Sequence, residues 1–488
     1  MRTALTDSAG FFTIQRLIWP DPRLNQEGDL YMRRPAHKTE LPTAPLVLKA
    51  KDEAWFDTYF NLFSLGKWRR HCALGDLHLA VWGSGRVRLV IGCDTPGKPR
   101  QIVLERALTL RAGSPARVDL TPALEAGRGP GTLWFALVAT RGTTLQDAAW
   151  QTRQAPQRIP DLTIAITTFQ RESAVRASVA RFETFAAQSE LADHLHMIVV
   201  DNGQSAQIAA SSHVTALANE NLGGAGGFAR GLIEARARRS SHCLFMDDDA
   251  TVHMESIERT WRFLAWASDP KTAVAGAMSI AAHKWALWEN GALFDSHCIP
   301  LHLGTDLRDA GQVAALDFAS TAEMPPNHYG GWWYFAFPVA HAHHMPFPFF
   351  VRGDDISFGL VHDFNTVTLP GVLSFQDQDF ADRESLNTLY LDLRNHLAHH
   401  LALPDMDIGR RRTLRIAWWF FARSAVQLHY ETLAALNLSF ADAMAGPDFF
   451  AAHADMATRR ADLAGLRHVE AWRPIPQGAS PPRPRRWI

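Results

Sequence analysis

At 488 residues the chain exceeds what one ordinary hydrophobic core supports, so two or three domains are expected from size alone. With 49 basic against 50 acidic side chains and no long run of one sign, it offers no global electrostatic basis for binding nucleic acid. Cys72, Cys93, Cys243 and Cys298 lack CxxC spacing, and nothing indicates a zinc site or a disulfide framework, so a reducing, cytoplasmic setting is expected.

Met1–Gly10 has no apolar core behind a basic start, so no secretory signal is expected there. No stretch approaches the roughly 20 apolar residues that span a bilayer. From Phe11 to Gln151 the chain alternates apolar and polar residues in short runs such as Leu77–Trp82 and Val87–Ile91, broken by Gly, Pro and Asp. That period of two at short spacing predicts an antiparallel β-sandwich, as an N-terminal domain over residues 1–155. Gln151–Pro160 is polar, carries two prolines and reads as a linker.

A second domain, 156–395, opens with the strand Leu162–Thr167, a helix over 173–189 and the strand Met197–Val200. A third strand then leads into Gly223-Gly224-Ala225-Gly226-Gly227 and a helix, and a fourth, Cys243–Met246, ends at Asp247, Asp248 and Asp249. This alternation predicts a mostly parallel α/β sheet covered on both faces. Residues 396–488 read as helical, with Arg410-Arg411-Arg412 ahead of Trp418-Trp419-Phe420-Phe421 and a basic tail, Pro481–Arg486, expected to be disordered. The aromatic stretch reads either as a packed amphipathic helix or as one lying on an anionic membrane surface.

Clustered carboxylates at the end of a buried strand supply hard oxygen ligands where a divalent cation carrying phosphates can sit. The alternative, a solvated turn, fits poorly because the usual turn residues are absent around Asp247–Asp249. A second acidic pair, Asp354 and Asp355, follows the apolar run Phe347–Val351 and Arg352, and one of its carboxylates could act as a general base. Gly224–Ala229 matches a G-x-G-x-x-A dinucleotide fingerprint, but it follows the third strand of its domain, and a ribose needs one acid rather than three. Close backbone approach is the simpler reading of those glycines. Of the adjacent Trp332 and Trp333, placed in a strand, one is expected in the core and the other against a ligand. His341, His343 and His344 lack a matching carboxylate and read as structural or surface residues. The chain holds 16 Trp and 28 Phe; aromatic planes suit sugar rings, but most are expected in the core.

Taken in order, Gln15–Pro20, Thr58–Asn61, Trp68-Arg69-Arg70, Thr168–Arg171, Asn221–Gly227, Phe245–Asp249, Gly331-Trp332-Trp333, Asp354-Asp355 and Leu393-Arg394-Asn395 resemble the polymerising galactofuranosyltransferases of cell-wall galactan synthesis, in glycosyltransferase family 2. The resemblance runs from about residue 11 to past 395. It implies an N-terminal β-sandwich, a GT-A nucleotide-sugar domain and a helical C-terminal region. It also implies an inverting transfer from UDP-galactofuranose to a saccharide or lipid-linked glycan, with Mn2+ or Mg2+, at the inner face of the cytoplasmic membrane. Peripheral membrane contact and a homo-oligomer are left open.

Carried over by motif, Asp247 and Asp249 would hold the metal and Asp248 would lie beside the nucleotide sugar. Arg171, Asn202 and Asn221 would line the donor pocket, with Arg352 near the diphosphate. Asp355 would be the general base, and Asp354, Trp332 and Trp333 would shape the sugar and acceptor site. The family places a histidine metal ligand shortly after Leu-Pro-Gly, whereas Leu369-Pro370-Gly371 here leads to Gln376, with Asp377 and Asp379 as further oxygen ligands in reach. That change keeps a UDP-pyranose donor open as an alternative, and a non-catalytic glycan-binding or assembly protein is the rival of another class.

Overall fold

A computed structural model of the chain describes residues 5–36, 41–122, 131–376, 384–470 and 478. The tail 481–488 lies outside the described residues. Contacts divide the chain into two compact units, Met1–Asp379 and Phe380–Ile488.

The first unit begins with eight antiparallel strands: β1 (Phe12–Arg16), β2 (Leu46–Leu48), β3 (Glu53–Trp55), β4 (His78–Asp94), β5 (Gln101–Leu110), β6 (Ala116–Asp119), β7 (Thr132–Ala139) and β8 (Thr143–Thr152). The 17-residue β4 joins two leaves. Its first half pairs with β6 and β8, and its second half with β5 and β7. The changeover falls at Gly83-Ser84-Gly85, where Gly85 has φ +117° and a Cβ on Gly83 would sit 2.2 Å from the Thr144 carbonyl oxygen. Only glycine lets one strand bend from one leaf into the other here.

The remainder of this unit is built on β9 (Leu162–Thr168), β10 (Leu195–Asp201), β11 (Val214–Ala218), β12 (His242–Asp247), β13 (Thr251–Val252), β14 (Thr272–Ile280), β18 (Phe335–Pro338) and β19 (Asn365–Gln376). They form one sheet in the order β11-β10-β9-β12-β18-β14-β19-β13, while β15 (Ala292–Phe294), β16 (Cys298–Pro300) and β17 (His328–Tyr329) make a small side sheet. β9 to β12 are parallel as expected, but β18 runs antiparallel between β12 and β14, so the sheet is mixed. The strand order reverses between β9 and β12, which opens a crevice at their carboxyl ends, the usual ligand position in such sheets.

The helix Met254–Trp266 lies between the sheet and the sandwich, and 12 of its residues are buried. Polar joints fix it there. The Tyr31 hydroxyl meets His253 Nε2 at 2.8 Å, Arg16 pairs with Glu258 at 3.1 Å, and Arg262 pairs with Glu258 and Glu190. Arg259 donates to the carbonyls of Pro370 (2.7 Å) and Arg16 (3.1 Å). Gly371, at φ +79°, leaves room for that guanidinium, since a Cβ there would lie 2.0 Å from Nη1. A second joint is the buried Lys67–Asp317 pair at 3.0 Å, whose carboxylate also accepts hydrogen bonds from Ser64 and Thr132.

The second unit is helical, with Leu386–Ala402, Arg410–Val426, Tyr430–Met444, Pro447–Ala452 and Ala457–Leu466. Leu393, Leu397, Ala417 and Leu436 form its core, with Phe420 and Phe421 packed against it. On the same helix as Phe420, Trp418 and Trp419 are 59% and 61% exposed. No helix among the described residues is long and apolar enough to cross a membrane.

Candidate active site

Three strands deliver carboxylates and amides to the carboxyl-end crevice. β12 ends at Asp247, directly opposite Thr167 of the parallel β9. Asp248 and Asp249 then turn inward and are buried. Asp248 accepts a hydrogen bond from the Thr168 hydroxyl at 2.7 Å, and the Arg171 guanidinium, just beyond β9, pairs with both Asp248 (3.4 Å) and Asp249.

The glycine turn closes one side. Gly223, at φ +68°, starts the helix Gly223–Ala237, and a Cβ there would lie 2.1 Å from the Phe350 carbonyl oxygen. That same carbonyl accepts the Ala225 N–H at 3.1 Å. Asn202, one residue beyond β10, donates to the Gly223 carbonyl at 2.9 Å, and Asn221 accepts the Gly223 N–H at 3.2 Å. Both asparagines therefore brace the turn from within. The glycines serve close packing, as the sequence suggested, rather than a dinucleotide loop.

Packed on that turn is the segment carrying the second acidic pair. Phe350, Arg352 and Gly353 have φ of 74°, 68° and 91°, an unusual run of left-handed residues that turns the chain sharply into the helix Asp354–Val361. Asp354 is buried close to Gly224, and Asp355 is partly buried, with Oδ1 accepting the Ile356 N–H at 2.9 Å. The two loops are near enough to interact. Burial raises the Asp247 carboxyl well above the usual range, and the charges of Asp249, Asp248, Asp354 and Asp355 raise it further. Burial and the neighbouring Asp355 raise Asp354, and burial raises Asp355 although the Ile356 N–H opposes it.

β19 contributes Gln376, which is 1% exposed. Its Nε2 lies 3.5 Å from Asp247 Oδ2, and its Oε1 has no hydrogen-bond partner among the described residues. Beside these carboxylates the unpartnered, buried amide oxygen of Gln376 is one more hard oxygen that a cation could use. Among the described residues no group of three or more His, Cys, Asp or Glu side chains is arranged to hold a metal ion, so a divalent cation here would need the Gln376 oxygen as well. Asp377 and Asp379 lie outside the described residues.

Trp332 and Trp333 stand in the turn ahead of β18 rather than in a strand, and both are buried. Trp332 packs edge-on against Phe228, Phe245 and Phe358, and Trp333 Nε1 donates to the Gly276 carbonyl at 2.9 Å. His341 and His343 lie side by side, and His344 stacks near His362, whose Nε2 accepts the His344 N–H at 2.9 Å.

Glu289 was missed by motif reading. It is buried on the loop before β15, its Oε1 has no partner among the described residues, and burial, with the Asp355 charge, raises its carboxyl well above the usual range. A lone acid inside the apolar stretch Trp285–Phe294 was the available signal.

Residues 14–153 match the model described as Galactofuranosyltransferase 2 N-terminal, and residues 163–301 match Glycosyl transferase family 2. The galactofuranosyltransferase GlfT2 of Mycobacterium tuberculosis is 27% identical over 85% of this chain and 68% of its own length. Its namesake in Mycolicibacterium smegmatis is 26% identical over 91% of this chain and 72% of its own length. A mannosyltransferase of Pyrobaculum calidifontis, solved with GDP-mannose and Mn2+, aligns with 64% of this chain and 86% of its own at 17% identity, with a TM-score of 0.32 that is too low to carry weight. With a galactofuranosyltransferase-type N-terminal match ahead of a match to Glycosyl transferase family 2, the chain is a glycosyltransferase.

Proposed function

We propose that the protein transfers galactofuranose from UDP-galactofuranose to a saccharide acceptor, with a lipid-linked glycan at the cytoplasmic membrane face as the acceptor class, and inverts the anomeric centre. The observation that carries this reading is the meeting of two acidic loops, Asp247–Asp249 and Asp354–Asp355, at the glycine turn, where the Phe350 carbonyl accepts the Ala225 N–H at 3.1 Å and Asp354 lies close to Gly224. The furanose donor is supported by the match of residues 14–153 and by the names of the mycobacterial relatives.

Asp247, Asp249 and Gln376 would hold a divalent cation, Mn2+ or Mg2+, which when bound supplies positive charge to the diphosphate leaving group. Arg171, paired with Asp248 and Asp249 here, is placed to turn its guanidinium to the diphosphate, and Arg352 sits on the strained turn beside the same crevice. Asn202 and Asn221 hold the glycine turn that walls the donor side. Asp355 takes the proton of the attacking acceptor hydroxyl as the new glycosidic bond forms. A carboxyl raised by burial suits that work near neutral pH. Asp354, Trp332 and Trp333 form the floor against which the sugar packs.

Exposed Trp418 and Trp419 beside the exposed Arg411, Arg412 and Arg415 support a peripheral contact with anionic lipid. The donor assignment is tested by scoring UDP release across a panel of UDP-sugars. Turnover of UDP-galactofuranose well above every UDP-pyranose supports it, and a preferred pyranose overturns it.

A further inference from the structure

Of the segments that carry the family resemblance, Thr58–Asn61 lies far in sequence from every acidic residue of the crevice, and its partners show what it does. The Thr58 hydroxyl and the Asn61 amide both donate to the Tyr31 carbonyl at 2.7 Å. Asn61 also accepts the Ile18 N–H at 2.8 Å and donates to the Ile18 carbonyl at 3.0 Å. The Phe60 ring stacks on the Tyr31 ring, with centroids 4.7 Å apart and planes 17° from parallel. Tyr31, between β1 and β2 and 0% exposed, is thus fixed at its backbone and at its ring. Its hydroxyl reaches onward, to His253 Nε2 at 2.8 Å.

His253 stands at the far end of the first acidic loop. β12 ends at Asp247, the chain turns through Asp248 and Asp249, and β13 returns it to the sheet by pairing with Phe375 and Ser374 of β19. His253 follows at once and leads into the helix Met254–Trp266. Its ring is edge-on to Tyr31 at 5.4 Å, to Phe60 at 5.0 Å and to Phe375 at 6.3 Å. Two residues of pairing hold less than an ordinary strand does, and the hydrogen bond from Tyr31 adds the directional restraint that β13 lacks. Packing of these rings would be served as well by a phenylalanine at position 31. The hydroxyl is what packing does not use.

Resting on the metal-dependent reading of the crevice, we propose that Tyr31 is a positioning residue for the transfer: through His253 it fixes the far end of the loop that carries Asp247 and Asp249. Tyr31 and Thr58–Asn61 all fall within residues 14–153, so the stretch that matches the N-terminal family model contributes to the site without touching substrate. A cation and a diphosphate need the loop oxygens held to within about 0.5 Å. A loop pinned at both ends meets that demand, and one pinned by β12 alone drifts. Asp355 belongs to another segment, the start of the helix Asp354–Val361, and is not held by this pair.

The test is UDP binding to the full chain by titration calorimetry, with Mn2+ and with chelator, beside thermal unfolding of the same samples. Tyr31→Phe and His253→Leu each strand a buried polar partner, so both should lower Tm and weaken UDP binding with Mn2+ about tenfold, while binding with chelator stays as in wild type. His253→Gln, whose terminal amide takes the place of Nε2, should keep both near wild type. The double variant Tyr31→Phe with His253→Leu strands nothing and should recover Tm, but not the Mn2+-dependent affinity, because two apolar side chains pack without fixing a direction. Recovery of Tm and affinity together, or single variants that lose Tm alone, would reduce the pair to core packing and overturn the proposal. If UDP binding by wild type does not respond to millimolar Mn2+, the metal-dependent reading itself fails and takes this proposal with it.

Discussion

The Gln376 amide lies 3.5 Å from the Asp247 carboxylate although 129 residues separate them in sequence. The contact exists because β19 and β12 end on the same edge of one sheet, and it joins the first acidic loop to the strand that follows the second. Asp247, Asp355 and Gln376 thereby belong to a single crevice, and the predictions below test their separate parts.

Asp355→Asn should keep the shape of the site and remove its base. Turnover is expected to fall on the order of 10²- to 10⁴-fold, while UDP binding, measured by calorimetry, stays within a few fold of wild type. Near-full turnover would remove Asp355 from its role.

Glu289 should tolerate an amide better than a truncation. Burial, with the Asp355 charge, raises its carboxyl well above the usual range, which favours the protonated form, and Glu289→Gln keeps that polar shape. Glu289→Ala leaves a hole beside Asp355. Steady-state kinetics on the two variants should show Gln near wild type and Ala strongly impaired, and equal loss in both would mean that an ionised Glu289 is required.

The first acidic loop was legible because an apolar run that stops at carboxylates, Asp247–Asp249, marks a strand end, whereas Asp354–Asp355 opens a helix after the left-handed turn at Phe350–Gly353. What was not legible is long-range pairing. Nothing in Phe335–Pro338 announces an antiparallel strand inserted between β12 and β14, and Trp332-Trp333 read as strand when tight packing against Phe228 and Gly276 makes it a turn. Segments that resemble the family by sequence also divide by role only in three dimensions. Gln15–Pro20, Thr58–Asn61 and Leu369–Gly371 fasten the sandwich to the helix that follows the aspartates or to its own neighbours. Gln15 donates to Leu62, Asn61 holds Ile18 and Tyr31, and the Pro370 and Gly371 carbonyls receive Arg259 and Ser256. Glu289 showed in the sequence only as a lone acid in an apolar stretch, and nothing tied it to Asp355, whose charge acts on it from 66 residues away, counted from 289 to 355.

The Lys67–Asp317 pair should behave as a buried charge pair joining the helix Leu65–His71 to the helix Ala310–Ala319. With side chains only 1% and 2% exposed, removing one partner strands the other charge and costs about 3–5 kcal/mol. Thermal unfolding should show a large drop in Tm for Lys67→Met and for Asp317→Leu. The double variant Lys67→Met with Asp317→Leu should recover part of it. A drop below about 1 kcal/mol in either single variant would contradict the account.

Acid should destabilise the fold through His253. Burial pushes this histidine down to about 3, from an ordinary value of 6.5. Its folded value lies below its unfolded value, so the unfolded chain binds the proton more readily. Its stability contribution is fully present above pH 6.5 and is lost as pH falls toward 3. At pH 5 the loss is about 2 kcal/mol from this group. Urea unfolding at pH 7 and pH 5 should show that difference shrink in His253→Gln, and an unchanged pH slope in the variant would exclude His253 as its source.

The most direct test of the central claim is turnover of UDP-galactofuranose on a short galactofuranose-bearing acceptor, with Mn2+ or Mg2+ and with chelator. The account predicts a lengthened acceptor and released UDP with either cation, and loss of both products when the cation is removed or when Asp247 and Asp249 are replaced by alanine. Equal turnover with chelator present, or no transfer of galactofuranose under any cation, would contradict it.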